Sequence, residues 1–506
     1  MTTEVRELDL FFRLPGTLEA RTRKTAKESG PHLVTILPRG EAIRNFVYSG
    51  TLEEVSREVE LSVLSILPGA EFEDLLRRCS DSTYPLREIG ERRLVNGLRE
   101  LLDMAHGRWL WSEAAQERWR LRDAEAITQR RRGRRLVKKL ACYPFVHRAG
   151  LRFLSRCERA ASRQFRTTES YLRLFRDLKP SLVFNGSHVH SGLAIQAVQA
   201  AQWLNIPTAA FVFSWDNLTS QGRIMAPYDY YLVWNEALRN QLLQIYDRIR
   251  PEQVFVTGTP QFDFHFRPEL QWSREEFCRR VGADPTRPIV LYSTGMANHM
   301  PGEPEIVDSI AGLLRKMTDL GSPQLLVRIY PKDQTNRFDE VKRSNPDVLF
   351  PAIPWEPAWQ TPRLEDAPLL TNMLRHAAAG INVASTMSLE LCMFDKPVLN
   401  VGYNPPGVEV DKLDYGRYYK FDHYRKVVES GAVTVARSEA ELGAMLRQAL
   451  IQPEFQRADR RALIKTMFGD TLDGYSGLRV ADRLIKLAQM GTSLRTRSPE
   501  MEFEVS

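Results

Sequence analysis

Short runs rich in Val, Ile, Leu and Phe recur along this chain, each followed by a loop of Gly, Ser, Asn or Pro and often by a segment of helical length. Of all its features this alternation most constrains the fold. Strands that are apolar throughout are covered on both faces, so they belong in parallel sheets flanked by helices. The first cycle reads as strands at 32–38 and 59–66 around a helix at 43–57. Strands follow at 181–185, 208–213, 230–234 and 253–257, with an Ala- and Gln-rich helix at 192–204. A Pro-rich connection near 260–288 precedes a second cycle, with strands at 288–293, 324–329, 381–383 and 397–401. Its helices are expected at 304–320, 369–378 and 439–452, and the five prolines of 350–368 mark a loop. Two such cycles predict an α/β chain of two Rossmann-like doubly wound domains facing across a cleft. The first domain is expected at 32–260 and the second at 286–450. Helices at 451–490 and a loose tail at 493–506 close the chain.

Length agrees, since 506 residues exceed one ordinary core. Residues 90–178 carry no strand pattern and read as a helical, basic insertion in the first domain. Within it, 118–139 holds ten Lys/Arg against two acids, and Trp109, Trp111 and Trp119 lie beside it. Such a block attracts phosphates. Basic residues next to aromatics favour an anionic membrane surface over nucleic acid as the partner. The plainer reading is a solvated helical face. No apolar run approaches the roughly 20 residues needed to span a bilayer. The acidic first residues give no signal-peptide pattern. Five scattered cysteines without a C-x-x-C fit a reduced compartment. A cytoplasmic protein, peripheral on the inner membrane face, is the expectation.

The residues with chemical potential cluster at strand ends, where ligands bind in such sheets. Ala384-Ser385-Thr386-Met387-Ser388-Leu389-Glu390 follows a strand and opens a helix. Hydroxyls and free N–H groups at a helix start suit phosphate, and a carboxylate one turn on suits a ribose diol. Thr294 and Gly295 follow the first strand of the second cycle. Arg328 and Lys332 end the next, with charge suited to a pyrophosphate. Ser385, Thr386, Ser388 and Glu390 complete the expected donor set. In the first cycle, Trp215 and Asn217 can stack on and hydrogen-bond a polyol acceptor, while His188, Asp216 and Glu41 are candidates for the base that takes a proton from its hydroxyl. There is no G-x-S-x-G, H-E-x-x-H or P-loop pattern, and no D-x-D to hold a metal on a nucleotide diphosphate.

The layout resembles the bacterial glycosyltransferases of the two-Rossmann GT-B fold. It is nearest the group of surface-carbohydrate biosynthesis proteins, poly(glycerophosphate) glycerophosphotransferases and nucleotide-sugar 2-epimerases. The resemblance rests on Val256-Thr257-Gly258-Thr259-Pro260-Gln261-Phe262-Asp263, on Arg328 to Lys332, on Ser385 to Glu390 with Lys396-Pro397-Val398, and on Asp473-Gly474 before a terminal helix. It implies a donor nucleotide in the second domain and an acceptor in the first. Tyr330 stands where the glycerophosphotransferases carry His, and Asn298-His299 lacks the Arg of the epimerases' His-Arg pair. The expected activity is therefore a metal-independent glycosyltransferase, with no cofactor, a nucleotide-sugar donor and a glycan or lipid-linked acceptor. Glycerophosphotransfer, 2-epimerisation, or an inactive nucleotide- or polyanion-binding scaffold are the rival expectations.

Overall fold

The computed structural model describes residues 30–66, 70–87, 90–165, 168–187, 192–220, 223–408 and 413–496. His188 and residues 497–506 of the expected tail lie outside them, while 493–496 end the terminal helix instead of starting a loose tail. The chain divides into two units, Met1–Asp263 with Thr471–Ser506, and Phe264–Asp470.

The first unit is built on β1 (His32–Leu37), β2 (Glu60–Ser65), β3 (Ser82–Pro85), β4 (Leu182–Asn185), β5 (Thr208–Phe211), β6 (Tyr230–Val233) and β7 (Val254–Val256). They form one sheet in the order β3-β2-β1-β4-β5-β6-β7, parallel throughout. β3 is absent from the sequence reading. It is a sheet-edge strand, largely half-buried, so it lacks the all-apolar signature of the inner strands. The helix expected at 43–57 is broken. A π-helical turn, Ile43–Tyr48, ends at Gly50, whose φ of 82° stops the helix before Thr51–Glu58 begins. Phe46 sits on this turn and packs edge-on against Phe184 and Phe211, joining turn to sheet.

Residues 90–178 are helical as the composition predicts: Arg93–Leu110, Glu113–Ala124, Gln129–Cys142, Arg148–Gln164 and Glu169–Leu178. Their own small core holds Leu102, Met104, Ala105, Cys142 and Leu154. Arg99 is buried there and bound to Glu158 at 2.6 Å and Glu91 at 2.9 Å.

The second unit holds β8 (Ile289–Ser293), β9 (Gln324–Arg328), a two-residue hairpin of β10 (Trp355–Glu356) and β11 (Thr361–Pro362), then β12 (Ala379–Asn382), β13 (Val398–Val401) and β14 (Thr434–Ala436). The main sheet runs β14-β13-β12-β8-β9, again all parallel. Helices Glu303–Arg315 and Glu439–Ile451 help cover it. In β12, Gly380 lets helix Met387–Met393 lie close: an added Cβ would sit 2.1 Å from Leu391. β14, short and half-exposed, escaped the sequence reading for the same reason as β3.

Two expected boundaries move. The segment near 260–288 is no free linker. Helix Arg274–Val281 buries Phe277 and Cys278, and Trp272 N–H donates to Asn372 Oδ1 at 2.8 Å, which ties the segment into the second unit. The helices at 451–490 do not form one block. Arg457–Phe468 stays with the second unit, where Arg460 binds Asp395 at 2.9 Å. Ser476–Thr496 joins the first. The Gly258 to Asp263 motif explains that return. Asp263 accepts from the N–H groups of Ser476 (3.2 Å) and Gly477 (2.7 Å) at the start of the terminal helix. Gly258, at φ 76°, approaches so closely that a Cβ would lie 2.4 Å from Ser476 Oγ.

Candidate functional site

In the second sheet the chain order reverses between β8 and β12. Such a switch point opens a crevice outside the strand carboxyl ends. The last registered row there is Arg328, Ser293, Asn382 and Asn400, on β9, β8, β12 and β13 in turn. Four adjacent apolar strands thus each place a polar residue at the same level. Three of the four are satisfied by the fold. Arg328 makes a two-pronged pair with Asp366, both contacts 2.7 Å and both partners buried. Asn382 Oδ1 accepts from Ser385 N–H (3.1 Å), Ser388 Oγ–H (3.1 Å) and Asn400 Nδ2–H (3.0 Å). Asn400 Oδ1 accepts from Tyr424 Oη–H at 2.9 Å. Ser293 is buried too, yet its Oγ has no partner among the described residues. Buried hydroxyls without partners are uncommon, and this one lies at the switch point.

The Asn382 amide holds an elbow. Ala384, between strand and helix, has φ 41°, a conformation that costs a residue with a Cβ. The hydroxyl cap expected here is not formed in the expected way. Thr386 occupies the cap position with helical φ and ψ and no side-chain cap bond, while Ser385 Oγ accepts from Met387 N–H at 3.3 Å. Ser388 is not a ligand group either. It is fully buried and committed to Asn382, Asn400 and Tyr424. Burial holds the Tyr424 phenol well above its usual pKa, against the pull of its bonds to Ser388 and Asn400.

Glu390 is no exposed surface acid. It is buried, and its Oε2 meets His265 Nε2 at 3.1 Å, while His265 Nδ1 meets Thr371 Oγ1 at 3.0 Å. Its Oε1 makes no hydrogen bond among the described residues. Helix Asp366–His376 therefore links the two ends of the site, Asp366 holding Arg328 and Thr371 positioning the histidine that holds Glu390. His265 went unnoticed in the sequence because its loop reads as a linker. Ser293, Asn382 and Asn400 also went unnoticed, because only the sheet register brings them into one row.

The loop after β8 is fixed from below. Glu303, fully buried, accepts from Gly295 N–H with both oxygens (2.9 Å each) and from Tyr292 Oη–H (3.1 Å), and pairs with Arg337 at 2.9 Å. Burial pushes its carboxyl up to about 7, against the pull of Arg337. Thr294 Oγ1 accepts from Tyr330 N–H at 2.8 Å, joining the loops after β8 and β9. Lys332 is exposed. His299 Nδ1 lies 3.3 Å from Tyr418 Oη.

Arg328, expected to bind pyrophosphate, is spent on Asp366. Gly295 contributes its N–H to Glu303 rather than to a ligand. Thr294, Ser385, Thr386 and Glu390 stay around the switch point.

In the first unit the order reverses between β1 and β4. Glu41 lies in the short turn after β1. Asp216 is bound by the hydroxyls of Ser214 and Ser220 within its own loop. Trp215 is buried, and Asn217, buried too, uses its Oδ1 on Ser214 N–H at 3.0 Å, so neither is presented as expected for an acceptor. Among the described residues, no group of three or more His, Cys, Asp or Glu is placed to hold a metal ion. No described helix is long and apolar enough to cross a membrane.

No protein-family model matches the chain, and no curated protein does. Solved structures do. The chain is similar to the UDP-GlcNAc 2-epimerase of Neisseria meningitidis bound to UDP-GlcNAc, with a TM-score of 0.51 at 13% identity, over 90% of this chain and 100% of that one. It is also similar to a UDP-N-acetylglucosamine 2-epimerase, with a TM-score of 0.50 at 13% identity, over 94% and 99%. The fold is GT-B. Both Rossmann-like units of the GT-B chain are present, and at this identity the likeness speaks for the fold and not for the reaction.

Proposed function

We propose that the chain is a glycosyltransferase that takes its sugar from a nucleotide-activated donor held at the β8/β12 switch point. The observation that carries this reading is the Arg328, Ser293, Asn382, Asn400 row, with an unpartnered hydroxyl between two committed neighbours. A ligand oxygen or N–H reaching Ser293 would complete it. Glu390, oriented by His265, offers Oε1 to a ribose diol. Thr294, Ser385, Thr386 and Lys332 surround the phosphates, where negative charge develops as the nucleotide leaves. The acceptor hydroxyl needs a base, for which the first unit offers Glu41 and Asp216. The reading also has a neighbour's support: one GT-B structure of this type was solved with UDP-GlcNAc bound.

Transfer is favoured over 2-epimerisation by the first unit. A groove of about 920 Å3 lies between the helical insertion and the segment after β4, lined among others by Asn96, Asp103, Arg134, Gly192 and Gln196. An epimerase rearranging one small substrate has no use for such a space, whereas a transferase must hold a second substrate. Epimerisation remains the second reading, because the similar structures bear that activity. Proton NMR of UDP-GlcNAc incubated with the protein in deuterated water separates the two. Exchange at C2 and a second epimer would overturn transfer; an unchanged sugar agrees with it. Turnover, once an acceptor is found, should survive EDTA, and full loss restored by manganese would contradict a metal-independent mechanism. A first screen is thermal shift against nucleoside diphosphates, since a ligand at a hundred times its dissociation constant adds about 2.7 kcal/mol.

A further inference from the structure

Among the described residues, fourteen large apolar side chains are strongly exposed, and eight of them fall between Leu94 and Phe165, inside the helical insertion. Single exposed apolar groups are ordinary, but a concentration of them marks an interaction surface. Helix Gln129–Cys142 and the turn after it carry four: Leu136 (58% exposed), Val137 (65%), Leu140 (62%) and Tyr143 (51%). Leu136, Leu140 and Tyr143 recur at i, i+4 and i+7, so they form one stripe. Phe153, 56% exposed, stacks on Phe145 two residues beyond Tyr143.

The same helix is strongly cationic, and its charges divide in two. Arg135 and Lys139 pair with Asp123, and Lys138 with Glu100. Arg130, Arg131, Arg132 and Arg134 have no acidic partner among the described residues. Arg132 donates only to the Ala126 carbonyl, at 3.1 Å. Arg132 lies four residues before Leu136 and Arg130 seven before Val137, so both continue the apolar stripe. Arg131 and Arg134 line the groove on the other side of the helix. Trp111 and Trp119 pack edge-on against each other at 5.4 Å, and Arg108 lies over Trp111 at 3.9 Å, so they serve the inside of the insertion.

We propose that this helix lies in the plane of an anionic lipid surface, its Leu136, Val137, Leu140 and Tyr143 stripe entering the headgroup region and Arg130 and Arg132 beside it meeting lipid phosphates. A protein partner would answer the apolar stripe and a polyanion the arginines. A bilayer bearing anionic lipid answers both at once. The proposal stands apart from the donor-site reading, since docking needs no turnover.

The test is co-sedimentation of the full chain with vesicles of phosphatidylcholine alone and of phosphatidylcholine mixed with phosphatidylglycerol. Binding is expected only with the mixed vesicles, falling as salt is added. Leu136→Ser with Leu140→Ser should weaken it at least tenfold. Arg130→Ser and Arg132→Ser should each weaken it about fivefold. All four side chains are exposed, and unchanged melting will show that the fold is kept. Equal binding to neutral vesicles, or none to mixed ones, overturns the proposal. So does binding untouched by the leucine changes, the mark of a polyanion site. A dimer that the leucine changes dissolve, in place of vesicle binding, overturns it in favour of a second copy of the chain.

Discussion

The two units share a scaffold and differ where it matters. At the β8/β12 switch point the terminal row is Arg328, Ser293, Asn382 and Asn400. In the first unit the corresponding row on β2, β1, β4 and β5 is Leu64, Ile36, Asn185 and Ala210. Only Asn185 is polar there, and it bonds Tyr228 Oη at 2.8 Å. One unit thus places a polar residue on each of four strands, with Asn382 and Asn400 bonded to each other, Arg328 held by Asp366 and Ser293 Oγ left open among the described residues. The other places one polar residue in the matching row. The proposed transfer from a nucleotide-activated donor to an acceptor would use such a division.

The comparison breaks most sharply at Arg328. Asp366→Ala leaves a buried guanidinium unpaired and should destabilise the second unit by about 3–5 kcal/mol. Calorimetry should show the second unit's transition moving down with the first unit's in place. A single transition falling as a whole would mean that the units do not melt independently. Asn382→Ala comes next. It strips partners from Ser385, Ser388 and Asn400 and should cost about 1–3 kcal/mol, while also loosening the Ala384 elbow. Hydrogen exchange confined to the elbow, helix Met387–Met393 and β13 would agree, and an unaltered exchange map would not.

Smaller, but opposite in sign between the units, is the response to pH. His106 in the first unit is buried against Tyr246, and desolvation holds its pKa down to about 3. A lowered histidine pKa favours the neutral form in the folded state, so its contribution is lost as pH falls from about 6.5 toward 3. Glu303, raised to about 7, acts the other way, its contribution fading as pH rises from about 4.5 through 7. His106→Phe should blunt the acid loss of the first transition, and Glu303→Gln the alkaline loss of the second. Melting curves of both variants between those limits check the signs.

The strands of both sheets were legible because inner parallel strands are apolar along their length. β3 and β14 were not, since edge strands of three or four residues need no such pattern. The switch-point region was legible as a candidate site from hydroxyls and an acid at a strand end, but the partner of each residue was not. Ser388 turns inward to Asn382, and Arg328 is claimed by Asp366, a residue 38 positions away. Which partner a polar side chain finds depends on tertiary contacts that local spacing does not encode. His265 shows the converse, a residue in an apparent linker that becomes the support of Glu390.

The central claim is that a nucleotide binds at the second unit's switch point, held through Glu390. Calorimetric titration of UDP into the wild type, Glu390→Ala and Ser293→Ala tests it most directly. The wild type should bind, Glu390→Ala should bind about 10- to 100-fold more weakly as a charged hydrogen bond is lost, and Ser293→Ala should bind less tightly with an unshifted melting temperature. Equal affinity in all three, or no binding of UDP or any other nucleoside diphosphate by the wild type, would contradict the account.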